Sequence, residues 1–342
     1  MNSGVRIGLM GLLAWGAIQT AQAQKAVTGD VNGDGLDDLV VQVDDGRGRH
    51  WRGRISDGGS FCPSADWTFT STPGVEIIGM ADVNGDGRDD LTLQFDWNGT
   101  RYWEARISSG TSFDYTRIWA QTTTPGVNPV GLADVNGDGK ADLVLQFDWN
   151  GTRYWESRIS SGASFDYYRI WAQTTTPGVN PVGLADVNGD GKADLVLQFD
   201  LNGTRYWESR ISSGATFDYY RIWTQTTTPG VNPVGLADVN ADGKADLVLQ
   251  YDLSGTRYWE SRISSGTTFD YYRTWTQTTI PGANPVGLAD ANGDGKADLV
   301  LQYDAFGSRR WQTRISSGSI FDTYGDWASY PDKPGYNLAW SD

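Results

Sequence analysis

Apolar and polar residues alternate along this chain in short runs, with breaks rich in Gly, Asn and Asp between them. Residues 129–178 show the pattern most clearly. Pro129 to Ala133 is a brief apolar run, and from Asp142 to Phe147 the residues Leu143, Leu145 and Phe147 alternate with Val144 and Gln146. From Thr152 to Ser160, one face of an extended segment carries Trp155, Ser157 and Ile159, and the other carries Tyr154, Glu156 and Arg158. A fourth, aromatic-rich run covers Phe165 to Gln173. Period-two alternation with β-branched and aromatic residues predicts four strands, and no stretch carries a helical period. Asp148-Trp149-Asn150-Gly151 predicts a hairpin tip, because Asn-Gly suits the backbone of a two-residue turn. Ser160-Ser161-Gly162 and Thr176-Pro177-Gly178 mark the next two turns.

The unit returns every 52 residues, starting near residues 25, 77, 129, 181, 233 and 285. Four short antiparallel strands in about 50 residues make one propeller blade. A lone sheet of this size is sticky on both faces, and stacking in a closed ring buries both better than a linear array does. The expected fold is all-β: a six-bladed β-propeller of four-stranded antiparallel blades, forming one domain over 24–342. Gly335 to Trp340 resembles one more inner strand. The tail 331–342 is therefore expected to dock beside the first blade and help close the ring, with an unfinished seventh blade as the alternative.

One polar loop lies between the first two strands of every unit. In the third copy, Asp134, Asn136, Asp138 and Asp142 put oxygen side chains at loop positions 1, 3, 5 and 9, and the Lys140 carbonyl stands at position 7. A hard, oxygen-seeking ion such as Ca²⁺ requires this donor set. The first copy offers Asp30, Asn32, Asp34, Leu36 (carbonyl) and Asp38; the second offers Asp82, Asn84, Asp86, Arg88 and Asp90. The fourth has Asp186, Asn188, Asp190, Lys192 and Asp194, and the fifth Asp238, Asn240, Asp242, Lys244 and Asp246. The sixth has Asp290, Asn292, Asp294, Lys296 and Asp298. One such loop is as easily a polar turn. Six in register argue for about six Ca²⁺ ions, one per repeat. Position 12 is apolar (Val41, Leu93, Leu145) where an EF-hand places Glu, so each loop leads into a strand. Copies 1 and 2 add an acid at position 8, Asp37 and Asp89.

The stretch Val130 to Val144, with its Asp-Val-Asn-Gly-Asp-Gly core, resembles the VCBS/FG-GAP repeat, and the resemblance covers Lys25 to Tyr330. That repeat builds the calcium-bearing propellers of integrin α heads and of many secreted proteins, some of them lectins. The resemblance implies that each loop joins the inner two strands of a blade on one rim, and that the five positions named in each copy hold the ion. The Phe-Gly and Gly-Ala-Pro signatures of the integrin version are absent, which gives no support to an integrin-like protein-binding role.

The first 23 residues look like a secretory leader: Arg6 is the lone charge, Ile7 to Ile18 is largely apolar, and Ala21-Gln22-Ala23 offers a small-x-small cleavage site. The mature chain is expected to be secreted, to the extracellular space, the cell surface or a periplasm, as a monomer with no membrane span. Net charge is −15, much of it in the loops, and six divalent ions would bring it near −4 once the leader is gone. This balance excludes nucleic acid as a partner. The single cysteine, Cys62, has no internal partner and is expected to be a small core residue.

His50 is the only histidine, so no Ser/His/Asp set or His-based zinc site can be assembled, and no enzyme activity is expected. Two tryptophan registers, headed by Trp51 and Trp67, repeat in all six units and are expected to fill the space between blades. Trp97 and Trp149 occupy hairpin tips, where Leu201 and Leu253 replace them. Such a ring either folds back on its own blade or stays exposed to meet a ligand. With Tyr115, Tyr167, Tyr219 and Tyr271 these tips are candidates for stacking on sugar rings. The expected function is a multivalent, lectin-like binding module for glycans; an adhesion module for an extracellular protein is the first alternative, and an enzyme with one site in the central channel the remoter one.

Overall fold

The computed structural model describes residues 22–44, 48–113 and 115–330. Among them every regular element is a strand, and the strands form six antiparallel sheets of four, ordered first to fourth as in sequence. Blade 3 comprises Asn128–Ala133, Asp142–Trp149, Thr152–Ile159 and Tyr167–Thr174. Blade 1 begins at Gln22–Gly29 and ends at Phe61–Thr70. First strands touch those of the neighbouring blades all round, so they line the axis, and fourth strands form the outer wall.

The hairpin turns follow their sequences. Asn150 and Gly151 have φ of 48° and 78°, the paired left-handed backbone of a two-residue turn, and Trp149 faces Thr152 across it. Every Trp of the first register (Trp51, Trp103, Trp155, Trp207, Trp259, Trp311) is fully buried, and each stabilises the fold by about 3 kcal/mol through burial alone. The second register packs across blade junctions. Trp171 of blade 3 meets Phe217 of blade 4 with ring centroids 5.1 Å apart, in a cluster that also holds Leu195 and Leu197. Trp327 and Phe61 repeat the contact at 5.3 Å between blades 6 and 1, so the sheets form a closed wheel.

Two expectations change. The fourth strand of blade 3 starts at Tyr167 rather than Phe165: the Phe165 amide donates instead to the Trp119 carbonyl of blade 2 at 2.9 Å, and its ring plugs that junction. Cys62 is exposed, not a core residue. It sits on the outer edge strand of its blade, where no next sheet covers that face, and its thiol lies 3.5 Å from Asp57 Oδ2. The first strand of blade 1 begins at Gln22, so the last two residues of the expected leader pair with Asp44 and Val43. The rest of the leader and the tail 331–342 lie outside the described residues. No helix among the described residues is long and apolar enough to cross a membrane.

Candidate functional site

The six acidic loops stand together on one rim, each joining the first and second strands of its blade. In blade 3, Asp134 folds the loop around itself. Its Oδ1 accepts the amides of Gly137 (2.7 Å) and Asp138 (3.1 Å), and its Oδ2 accepts that of Gly139 (2.7 Å). Asn136 Oδ1 takes the Asp138 amide at 2.8 Å, and Asp138 Oδ1 takes the Lys140 amide at 3.0 Å. Such a path needs left-handed backbone at Gly137 (φ 81°) and Gly139 (φ 84°). Asp142 is fully buried and accepts the amides of Ser160 (2.7 Å) and Val135 (3.2 Å). Burial pushes its carboxyl up to about 7, against the pull of those two amides, and the nearby Asp138 and Asp134 raise it further. The same shift, with burial as the first cause, recurs at Asp38, Asp90, Asp194, Asp246 and Asp298.

No three acidic, histidine or cysteine side chains among the described residues converge into a formed cation cage, because backbone amides hold the carboxylates. The donors nonetheless suit a hard cation in kind and in order. They are all oxygens, and Asp134 Oδ2, Asp138 Oδ1 and Asp142 Oδ1, each accepting one backbone N–H, keep a further lone pair. The sixth loop goes further. The Ala291 amide bonds to the Ala289 carbonyl (3.0 Å) and reaches Asp298 only weakly, so Asp298 Oδ2, fully buried, has no well-formed hydrogen bond. A buried oxygen so poorly satisfied calls for an ion or water.

What the sequence did not disclose is how the loops are tied to one another. The amide at position 8 of each loop donates to the position-1 carbonyl of the preceding loop: Ala193 to Asp134, Ala245 to Asp186 and Ala297 to Asp238, each at 2.8 Å. Six such bonds make a continuous belt. The Ser after each third strand adds a second tie, as Ser160 Oγ donates to the Val83 carbonyl of the preceding blade at 2.6 Å. Position 8 holds a small residue in four copies, and that small size was the only available signal for the belt.

The candidate aromatics do not form one site. Trp97 and Trp149 are exposed at 58% and 59%, so the tip rings do not fold back. Tyr167 and Tyr219 are also exposed, but Tyr167 pairs with Ile159 at the loop end of its sheet, whereas Trp149 pairs with Thr152 at the other end. Seven residues of strand, roughly 23 Å, separate the two ends. Tyr115 and Tyr271 occupy the equivalent strand positions to Tyr167.

A site that the sequence reading missed lies on the outer wall, between blades. A groove of about 420 Å³ is lined by Tyr154, Gln173 and Thr174 to Thr176 of blade 3 and by Glu208, Arg210 and Tyr220 of blade 4. Its counterpart between blades 2 and 3, about 400 Å³, is lined by Gln121 to Thr124, Glu156, Arg158 and Tyr168 among others. Arg210 staples the junction: Nε donates to Glu208 Oε1 at 2.7 Å and Nη1 to the Gln173 carbonyl at 3.2 Å. Its guanidinium lies 5.2 Å from the Trp155 ring of blade 3 and 5.0 Å from the Tyr220 ring. Tyr154, Glu156 and Arg158 were legible as one face of a strand, but that this Arg crosses the junction was not.

A family profile described as FG-GAP-like repeat matches residues 30–93, 134–197, 186–249 and 238–301. The chain is 27% identical over 172 residues to a protein described as T-cell immunomodulatory protein homolog from Plasmodium falciparum, an overlap of 47% of this chain and 24% of that protein. The chain thus spans about a quarter of that curated relative's length. Similar solved structures include an oligogalacturonate lyase in complex with manganese, at 12% identity and TM-score 0.49, covering 90% of this chain and 83% of the other. An exotype rhamnogalacturonan lyase matches at 11% identity and TM-score 0.43, covering 88% and 73%. With its matched repeats covering more than half of the sequence, this chain belongs to the FG-GAP-like repeat family and is a six-bladed propeller of the binding-module type.

Proposed function

We propose that the chain is an exported, non-catalytic propeller that holds about six Ca²⁺ ions on one rim and uses its repeated blades as a multivalent carbohydrate-binding surface. The observation that carries this reading is recurrence. The same exposed Tyr, buried Arg–Glu pair and Thr-rich edge return at successive blade junctions, as separate modest sites do when they act by avidity. The ions fit the reading as braces. The oxygen-only loops, the raised Asp142-type carboxyls and the poorly satisfied Asp298 Oδ2 are all relieved by a divalent cation. Ligand binding then depends on Ca²⁺ only through the fold, since the grooves lie away from the loop rim. A glycan array probed with and without chelator tests this. Sugar binding that disappears with chelator supports it, and a blank array contradicts it.

A second reading has its own observation. The rim opposite the loops presents Trp97, Trp149, Leu201, Leu253 and Phe306 at its tips, all exposed. Such a crown of apolar tips suits a protein partner, and the distant relative's description as a T-cell immunomodulatory protein homolog agrees. A blank array, together with capture of one cell-surface protein that Trp149→Ser abolishes, selects this reading.

A further inference from the structure

We propose that the grooves between blades 2 and 3 and between blades 3 and 4, and the junction between blades 4 and 5 that carries the same side chains, each bind one neutral pyranose, giving three sugar sites per chain. The proposal rests on the carbohydrate reading above and gives it an address, a ligand class and a number.

The address follows from the groove between blades 3 and 4. Its volume, about 420 Å³, suits a mono- or disaccharide. Tyr220 is 62% exposed with one face toward Arg210, which leaves the other face as a flat platform for the C–H side of a sugar ring. Glu208 commits Oε1 to Arg210, and its Oε2 has no partner among the described residues, so it can accept a sugar hydroxyl. Thr174 to Thr176 line the opposite wall, where hydroxyls can donate or accept.

Neutral character follows from the charges. The Arg210 guanidinium is occupied by Glu208, by the Gln173 carbonyl and by two ring faces. Glu208 balances that charge, so the groove offers no net positive charge to a carboxylate or sulfate on the ligand. The unsatisfied group is an anionic oxygen, and the chain carries a net −15. Both disfavour anionic sugars.

The number follows from departures among the repeats. Glu, Arg and Tyr occur together as Glu156, Arg158 and Tyr168, as Glu208, Arg210 and Tyr220, and as Glu260, Arg262 and Tyr272. In each set the Arg pairs with its Glu at 2.7–2.8 Å and lies 4.9–5.0 Å from its Tyr ring. Blade 2 puts Thr116 in the Tyr place, blade 6 puts Gln312 in the Glu place, and blade 1 has Arg52 there.

These departures also supply safe variants. Gln312 bonds Arg314 as Glu208 bonds Arg210, at 3.1 Å, so Glu208→Gln and Tyr220→Thr each copy an arrangement that another blade already folds with. The test is titration calorimetry of the full chain in Ca²⁺ with methyl mannoside, methyl galactoside, methyl fucoside, N-acetylglucosamine and glucuronate. The expected result is at least one neutral sugar binding at three per chain with a single Kd, and no heat from glucuronate. The Glu208→Gln/Tyr220→Thr double variant then binds two per chain at unchanged Kd, with its melting midpoint intact, and Tyr→Thr at all three junctions abolishes binding. An unchanged stoichiometry in the double variant overturns the groove assignment while leaving the carbohydrate reading standing. Binding of glucuronate alone overturns the ligand class. Silence from every sugar here and on the array overturns both.

Discussion

Asp37 and Asp290 lie 253 residues apart in sequence yet exchange two hydrogen bonds. The Asp37 amide donates to the Asp290 carbonyl at 2.9 Å, and the Asp290 amide donates to the Asp37 carboxylate at 2.7 Å. The first bond is the same position-8 to position-1 tie that joins every other pair of loops. Blade 6 therefore meets blade 1 through the contacts that any two neighbours use, with the Asp37 side chain added.

If the closing seam is an ordinary seam, its energetics match an internal one. Ser56 Oγ donates to the Ala291 carbonyl at 2.6 Å, as Ser160 does to Val83. Removing either hydroxyl leaves a buried carbonyl without a partner. Ser56→Ala and Ser160→Ala are each expected to destabilise by about 1–2 kcal/mol, with urea midpoints equal within error. A neutral Ser56→Ala would mean that the ring closes by other means.

Ala241 holds a left-handed backbone, φ 62°, where the other five loops have Gly. A Cβ at the corresponding Gly137 would come within 3.1 Å of Lys192 Cγ. Ala241→Gly should therefore stabilise the protein, by about 1 kcal/mol, read as a rise in melting midpoint. A fall would show that the extra freedom of glycine in the unfolded chain outweighs the strain.

Much of this architecture was legible in the sequence, because a propeller states its blade six times over. The strand alternation, the Asn-Gly tips and the acidic loops are local features, and local chemistry decides them. Features that depend on the neighbouring blade were not legible. Phe165 reads as a strand residue until the Trp119 carbonyl is there to take its amide, and Cys62 reads as core until its strand proves to be the outer edge. Trp149 and Tyr167 look like one aromatic set, and only the strand register places them at opposite ends of the sheet.

The two tryptophan environments of blade 3 should separate cleanly. Trp149, exposed at the tip, should be replaceable by Ser with less than about 0.5 kcal/mol change. Trp155, fully buried, should lose about 3–5 kcal/mol on change to Ala. Denaturant melts of the two variants check both.

Acid sensitivity has a traceable local source on the rim opposite the loops. Two N–H groups of Arg153 donate to Asp148, at 2.7 and 2.8 Å, and hold its carboxyl below the ordinary carboxylate range. With the folded value below the unfolded one, the contribution is present above about pH 4 and is lost as pH falls through the lower folded value. Asp148 is largely exposed, so the effect on stability is small and the titration itself is the readout. Arg153→Gln should raise the Asp148 midpoint toward about 3.9 in a carboxyl NMR titration. An unmoved midpoint would mean that the Arg fork does not set it.

Calcium uptake by chelator-stripped protein, followed together with the melting midpoint, tests the account most directly. The prediction is about six ions per chain with Kd on the order of 10⁻⁴–10⁻³ M, and a midpoint that climbs as the ions bind, each filled site adding about 1–2 kcal/mol at millimolar excess. No uptake at 10 mM Ca²⁺ (about ten times the weakest expected Kd) and a midpoint unmoved by EDTA would contradict it, and would leave six polar turns held by their own amides.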